Sequence, residues 1–450
     1  MMRLSRIVVC FSLAGAPLAA EPLKLPEPYQ SIVELARGTP VEFSADALLR
    51  VVESGKIADR DAKIDLVEQA FRLAASAKFK VRMRKLPGSM ADTRSSYLGN
   101  AYDLKLDALS LQSRAAMDML AVDKAKAREL FLGIVRPSLP ALNCDDPLVY
   151  DVADYYQALG AILNGTFTTA ERAKEEHLNF LLDSVGQTTS PAQLAPLARA
   201  IKSAAVTPEQ REILWNRFNG LLESLTPDDR SFAAALPDIA HEMTSETQAS
   251  FEKFKQRSAG CKDDGAPSVT LHLSTTTVQA GTTPHVEPYW QSGEAKRLLE
   301  DAQKLRFLPE GKPRSDAERS SPEWKLQLAD YLSALDAWTA TQEKSEADYY
   351  HQKCVVYEAL VELIPLGPQR DKTLEAYVNF VGNSNLQQES PVEWFMHVHS
   401  MLDRVRSTST GEPAKVLAAF EASGNRVLAL YAALEKTFAG SLPSWVTKSN

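Results

Sequence analysis

Four residues that can bind metal ions or act as nucleophiles share one face of a predicted helix: Asp348, His351, Cys354 and Glu358. On a helix, spacings of three and four align a thiolate, an imidazole and carboxylates, which can hold a metal ion or activate the sulfur. The same helix carries an apolar stripe that includes Tyr350, Cys354 and Val361. Such a stripe packs against a core, so we interpret Cys354 as a small buried hydrophobic residue. The sequence predicts no metal site and no cofactor.

A second group of polar residues surrounds His397 and His399. Residues two apart on a helix point about 200° away from each other, so these two histidines cannot share one metal ion. Glu393 lies four residues before His397, and Asp403 lies four residues after His399. We therefore interpret both as ion pairs on the helix surface.

Short catalytic motifs are missing from the chain. It contains no G-x-S-x-G, P-loop, Gly-rich dinucleotide turn or C-x-x-C sequence. His241 and Glu242 begin like a zinc-peptidase motif, but Ser245 occupies the position of the second histidine. The sequence thus predicts no catalytic residue and favours a protein that is not an enzyme.

Helix start signals recur along the chain. Thr207 can cap a helix that begins at Pro208, with Gln210 as its capping-box partner. An apolar stripe follows at Leu214, Phe218, Leu221, Leu222 and Leu225. Similar starts occur at Ser190-Pro191, Ser321-Pro322 and Ser390-Pro391. The pattern predicts an all-α fold of stacked antiparallel helix pairs, an α-solenoid or an αα-superhelix.

Composition suggests a division into two helical domains. We predict a signal peptide over residues 1–20, an N-terminal helical-repeat domain over 21–260 and a C-terminal helical domain over 292–450. Between them, 261–291 is rich in Ser, Thr, Gly and Pro and is predicted to be a linker. Within the first domain, a helix is predicted over 148–163.

The first residues predict export. Arg3 and Arg6 precede an apolar run that is too short to span a membrane, and small residues lead to Ala20. We expect a bacterial periplasmic or extracellular protein with no transmembrane segment in the mature chain. The formal net charge of −8 argues against nucleic-acid binding.

One stretch is strongly basic within this acidic chain. Cations and apolar residues alternate from 78 to 85, with the cations at Lys78, Lys80, Arg82, Arg84 and Lys85. A period of two is typical of extended backbone. The stretch is either a binding site for an anionic partner, such as a lipid headgroup, a polysaccharide or an acidic protein face, or an extended connector with one packed face.

Three cysteines follow the predicted signal peptide. Cys144 and Cys261 lie in loop sequences, whereas Cys354 lies within a helix. We predict a disulfide between Cys144 and Cys261, with Cys354 reduced. An open solenoid would instead hold the two loops far apart.

Stacked helix pairs form extended surfaces that suit partner binding. We therefore expect a non-enzymatic interaction or structural module whose partner is a protein or a component of the cell envelope. The alternative is an exported carbohydrate-active enzyme on an α/α toroid, suggested by the tryptophans of the C-terminal half at Trp290, Trp324, Trp338 and Trp394. A third hypothesis is binding of anionic envelope material through 78–85. The oligomeric state is left open.

Overall fold

A computed structural model describes residues 25–85, 94–142, 146, 148–225, 229–257, 293–340, 346–384 and 389–438. Of the described residues, 73% are helical and very few form strands, which confirms the predicted all-α helical-repeat fold. None of the described helices combines the length and apolarity that crossing a membrane requires.

The N-terminal half alternates longer helices with short connections. Its elements are α1 (Tyr29–Ala36), α2 (Val41–Glu53), α3 (Arg60–Ala74), β1 (Met83–Lys85), α4 (Arg94–Asp103), α5 (Ala108–Leu120), α6 (Lys124–Gly133), β2 (Leu148–Tyr150), α7 (Ala153–Thr166), α8 (Thr169–Ala173), α9 (Glu176–Gly186), a 3-10 turn (Pro191–Gln193), α10 (Leu194–Ser203), α11 (Pro208–Ser224), α12 (Asp229–Glu242) and α13 (Gln248–Arg257).

The C-terminal half is built in the same way. Its helices are α14 (Gly293–Arg306), α15 (Asp316–Arg319), α16 (Pro322–Ala337), α17 (Glu346–Leu363), α18 (Pro368–Asn383), α19 (Pro391–Thr408), α20 (Glu412–Ala422) and α21 (Arg426–Phe438).

The predicted helix starts are present in atomic detail. The Thr207 side chain accepts a hydrogen bond from the backbone N–H of Gln210, and the Gln210 side-chain oxygen accepts one from the backbone N–H of Thr207. Ser390 and Glu393 form the same reciprocal capping box at the start of α19. These bonds satisfy helix N–H groups that have no partner within the helix.

The helices of the N-terminal half form two layers. In the first layer, α2 packs on α5, α5 on α7, α7 on α10 and α10 on α12. In the second layer, α9 packs on α11 and α11 on α13, while α3 and α6 cover α5. Each apolar stripe is therefore buried between neighbouring pairs, as the stacked-pair prediction requires.

The two ends of the described chain meet in the middle of the stack. Helix α21 packs on α1 and α2, and α19 packs on α4. Aromatic rings join these elements: the ring centroids of Tyr29 and Phe438 are 6.2 Å apart, and those of Phe43 and Phe395 are 4.9 Å apart. The packing order thus runs outward from this junction, to α13 through the N-terminal half and to α14 and α16 through the C-terminal half. The division into domains at 21–260 and 292–450 stays a prediction.

A two-stranded antiparallel sheet corrects one predicted boundary. Met83 pairs with Tyr150, and Lys85 pairs with Leu148, so the start of the predicted 148–163 helix is a strand. Helix α7 begins only at Ala153, whose backbone N–H donates to the Asp151 side chain. The pairing partner lies more than sixty residues away in the chain, so local helix signals alone gave the wrong start.

Candidate functional site

The basic stretch contains a partly buried ion-pair centre. Nη2 of Arg82 lies 2.8 Å from Oδ2 of Asp151 and 3.6 Å from Oδ2 of Asp154. Burial alone would lower the pKa of Arg82, but the charges of Asp151 and Asp154 outweigh burial and raise it. Arg82 therefore joins the strand pair to the start of α7.

The other residues of the stretch also contact neighbouring groups of the protein. The backbone N–H of Lys78 donates to Glu42 Oε1 at 2.8 Å. The side-chain contacts are Lys80 Nζ to the Ala75 carbonyl oxygen at 3.1 Å, Arg84 Nη2 to Asp238 Oδ2 at 3.1 Å and Lys85 Nζ to Asn100 Oδ1 at 2.5 Å. Anion binding by this stretch stays a prediction.

A second charged centre lies where α2 meets α5. Nε and Nη2 of Arg114 donate to the two carboxylate oxygens of Glu53, at 2.5 and 2.7 Å, and Nη1 donates to Asp46 at 2.6 Å. Asp46 also accepts from Arg50 at 2.8 Å. Burial opposes the charge on Arg114, but Glu53 and Asp46 outweigh it and raise the pKa of the guanidinium. Such a bidentate pair fixes both side chains in position.

Asp118 adds a third carboxyl group to this centre. Burial, together with the charge of Glu53, raises the pKa of Asp118 well above its usual range, although Arg114 opposes the rise. Oδ2 of Asp118 is buried and has no hydrogen-bond partner among the described residues. The raised pKa favours the protonated form of Asp118. We call Glu53, Ser113, Arg114 and Asp118 the acid pocket.

The acid pocket opens into a groove along the first helix layer. A cavity of ≈ 90 Å³ is lined by the acid pocket and by Lys105, Ser110, Met117, Asp154 and Gln157. A neighbouring cavity of ≈ 560 Å³ between α7 and α10 is also lined by Gln157. A third, smaller cavity shares Arg199 with the second and extends to Asp238 on α12. The three cavities adjoin one another at these shared lining residues, and together we call them the α5–α12 groove.

A buried chain of four side chains joins α17 to α19. Oε2 of Glu389 lies 2.8 Å from Nε2 of His351, and Nδ1 of His351 lies 2.9 Å from Nε2 of His397. Nδ1 of His397 lies 3.0 Å from Oε1 of Glu358. The far oxygen of Glu358 lies 3.0 Å from Arg404. We call Glu389, His351, His397 and Glu358 the His–Glu chain.

Hydrogen counting fixes the protonation of the His–Glu chain. Two neutral imidazoles carry two N–H groups in total, whereas three hydrogen bonds in a row need three hydrogens. Burial lowers the pKa of His397, despite the opposing effect of Glu358. His397 is therefore neutral, donates through Nδ1 and accepts at Nε2. The contact between Nε2 of His351 and Glu389 is therefore the one that needs a hydrogen beyond those of two neutral imidazoles.

Glu358 is the ionised end of this chain. Burial acts to raise its pKa, but the hydrogen bond from His397 and the charge of Arg404 outweigh burial and lower it. Tyr377 adds a longer hydrogen bond of 3.4 Å from its hydroxyl group.

The structure brings together some of the residues that the sequence singled out. His351 and Glu358 belong to one cluster, but His397 lies between them and Cys354 takes no part in it. Cys354 is a free, fully buried thiol, and burial raises its pKa well above the usual range. No group of three or more His, Cys, Asp or Glu side chains in the described ranges is arranged to hold a metal ion.

Two of the predicted pairs on α19 have different outcomes. Nε2 of His399 lies 3.2 Å from Asp403, which confirms that pair. The predicted surface pair between Glu393 and His397 is wrong, because His397 is only 1% exposed and faces the core. Cys144 and Cys261 lie outside the described residues, so their disulfide stays a prediction.

Two of the four tryptophans that suggested sugar binding, Trp324 and Trp394, pack into the core. The indole N–H of Trp324 donates to the Leu305 carbonyl oxygen at 2.9 Å, and that of Trp394 donates to the Val381 carbonyl oxygen at 3.1 Å. Both rings are buried. These two residues therefore offer no exposed face on which a sugar ring could stack.

Sequence reasoning missed Arg114, Glu53, Asp118 and the link from His351 to His397. Arg114 and Asp118 are four residues apart, which on its own indicates an ordinary surface ion pair. No local pattern identifies Glu53 as their shared partner, because it lies on another helix. No family model matches the sequence, and no curated protein or solved structure matches it either.

Proposed function

We propose that the protein is an exported, non-enzymatic binding module of the bacterial cell envelope that holds a segment of a partner protein in the α5–α12 groove. The observation that carries this proposal is the row of adjoining cavities, with shared lining residues, across α5, α7, α10 and α12. Helical repeats generate such extended surfaces because each pair adds one helix to the same layer.

The lining of the groove suits a polypeptide. Its floor over α7 and α10 includes Gly160, Ala161 and Ala200, whose small side chains let another backbone approach closely. Its edge carries exposed Gln157 and Arg199. A side-chain amide such as that of Gln157 both donates and accepts hydrogen bonds, as a peptide group does.

The groove is also held in a fixed shape. The Asn164 amide donates to the Ser203 carbonyl oxygen at 3.0 Å and accepts from the Ala205 N–H at 2.8 Å, which ties α7 to the end of α10. At the other end of α10, Gln193 donates to the Tyr156 hydroxyl at 3.1 Å. A surface that is already ordered loses less conformational entropy on binding, which favours affinity.

Site-specific photocrosslinking in the exporting cell tests this proposal. A photoreactive amino acid replaces Gln157 in the groove or, as a matched control, the exposed Asn216 on α11 in the second layer. We expect a discrete adduct from position 157 only, and its loss when Ala161→Trp fills the groove without changing the melting temperature. Equal adducts from both positions, or an adduct that survives Ala161→Trp, would refute binding in the groove.

A further inference from the structure

We propose that the acid pocket is a binding site for an ammonium or guanidinium group, supplied by a Lys or Arg side chain of the partner segment. This inference rests on the proposed function for the source of the cation, since the pocket forms one end of the α5–α12 groove. Cation binding itself follows from the residues of the pocket and does not depend on the identity of the partner.

An unpartnered hydroxyl group points to a missing ligand. Ser113 is 0% exposed and lines the ≈ 90 Å³ cavity, yet its Oγ has no hydrogen-bond partner among the described residues. A buried polar atom without a partner is costly, so a donor or acceptor entering the cavity would be stabilised there. The cavity has room for several water molecules and hence for a small planar group.

The charges around the cavity select a cation. All three donor nitrogens of Arg114 are directed at Glu53 and Asp46. Lys105 Nζ donates to Asp154 at 3.0 Å. The cationic groups in the lining are thus directed at protein carboxylates, and an incoming anion would meet the carboxyl groups of Glu53 and Asp118. A cation instead finds those acceptors together with Ser113.

The proton on Asp118 makes cation binding depend on pH. Burial and the charge of Glu53 raise the pKa of Asp118 in the free pocket, which favours its protonated form. A bound cation replaces the positive charge of that proton, so Asp118 ionises as the ligand enters and the proton is released to solvent. The charged groups that face Asp118 from the packed elements are Glu53 of α2, Arg114 of α5, Lys105 before α5 and Asp154 of α7. Affinity should therefore rise with pH.

Titration of the full-length exported chain with methylguanidinium tests the inference by calorimetry or NMR. N-methylurea serves as a neutral probe of similar shape. We expect saturable binding of methylguanidinium only, tightening about tenfold per pH unit while Asp118 is protonated in the free protein. Asp118→Asn should lower the affinity at least tenfold and remove the pH dependence, whereas Asp183→Asn, at an exposed position on α9, should change neither.

Two results would overturn the inference: equal binding of the cation and the neutral probe, or unchanged binding by a folded Asp118→Asn variant. The crosslinking at position 157 separates this proposal from the previous one. Binding of methylguanidinium without a groove adduct would support the pocket and refute the partner segment. An adduct without binding of methylguanidinium would support the partner segment and refute the cation site in the pocket.

Discussion

Replacing Glu389 by Gln tests the proton count of the His–Glu chain. The Gln amide can donate to Nε2 of a neutral His351, His351 can donate through Nδ1 to His397, and His397 can still donate to Glu358. All three hydrogen bonds then form without a shared proton. The variant should keep the fold and take up one proton fewer than the wild-type protein on folding.

The sign and size of the effect follow from linkage. Above about pH 6.5 the histidines of the unfolded chain are mostly neutral, whereas the hydrogen bond between His351 and Glu389 in the folded wild type requires an additional proton. The folded state then binds more protons, so the free energy of unfolding falls as pH rises. One proton corresponds to about 1.4 kcal/mol per pH unit, or about 2 kcal/mol between about pH 7 and pH 8.5.

Surrounding ionisable groups make a difference measurement necessary. Those next to the His–Glu chain are Arg404 and Glu393 of α19, Tyr350 and Cys354 of α17, Tyr377 of α18, and Lys78. They are common to wild type and variant, so subtracting the two pH profiles removes most of their contribution.

Urea denaturation at several pH values provides the measurement. Glu389→Gln should flatten the decline above neutral pH, while Glu375→Gln, the same change at an exposed position on α18, should leave it as in wild type. Glu389→Ala leaves a ring nitrogen of buried His351 without a partner and should cost about 1–3 kcal/mol relative to Glu389→Gln. If Glu389→Gln and wild type show parallel pH profiles, the proton count is wrong.

Four further predictions concern the rest of the chain. Arg82→Glu removes the partner of two carboxylates in a partly buried cluster, so denaturation should show a loss of about 3–5 kcal/mol. Lys80→Glu should leave thermal melting unchanged and weaken binding to anionic vesicles at low ionic strength; a wild type that binds no such vesicles excludes the anion hypothesis. Peptide mapping without reductant should recover Cys144 joined to Cys261, and free thiols at both positions would contradict the bridge. Limited proteolysis should cut first within 261–291, and earlier cleavage elsewhere would mean that the domain boundary is misplaced.

The sequence by itself determined the helices and the rule by which they stack. Start signals such as Thr207 with Gln210 and Ser390 with Glu393 act through bonds three residues apart, and apolar stripes act through spacings of three and four. Both depend only on near neighbours in the chain. Because these interactions are local, the all-α fold of helix pairs could be predicted without any tertiary information.

Tertiary packing alone decided which residues meet across helices. Arg114 lies 61 residues from Glu53 in the chain, and His351 lies 46 residues from His397. Each member sits on its own helix with no local sign of its partner, so only the packing of α2 on α5 and of α17 on α19 brings them together. Burial then sets the protonation of Asp118 and His397. The same reason explains the strand at 148–150, since its pairing with 83–85 outweighs local helix preference.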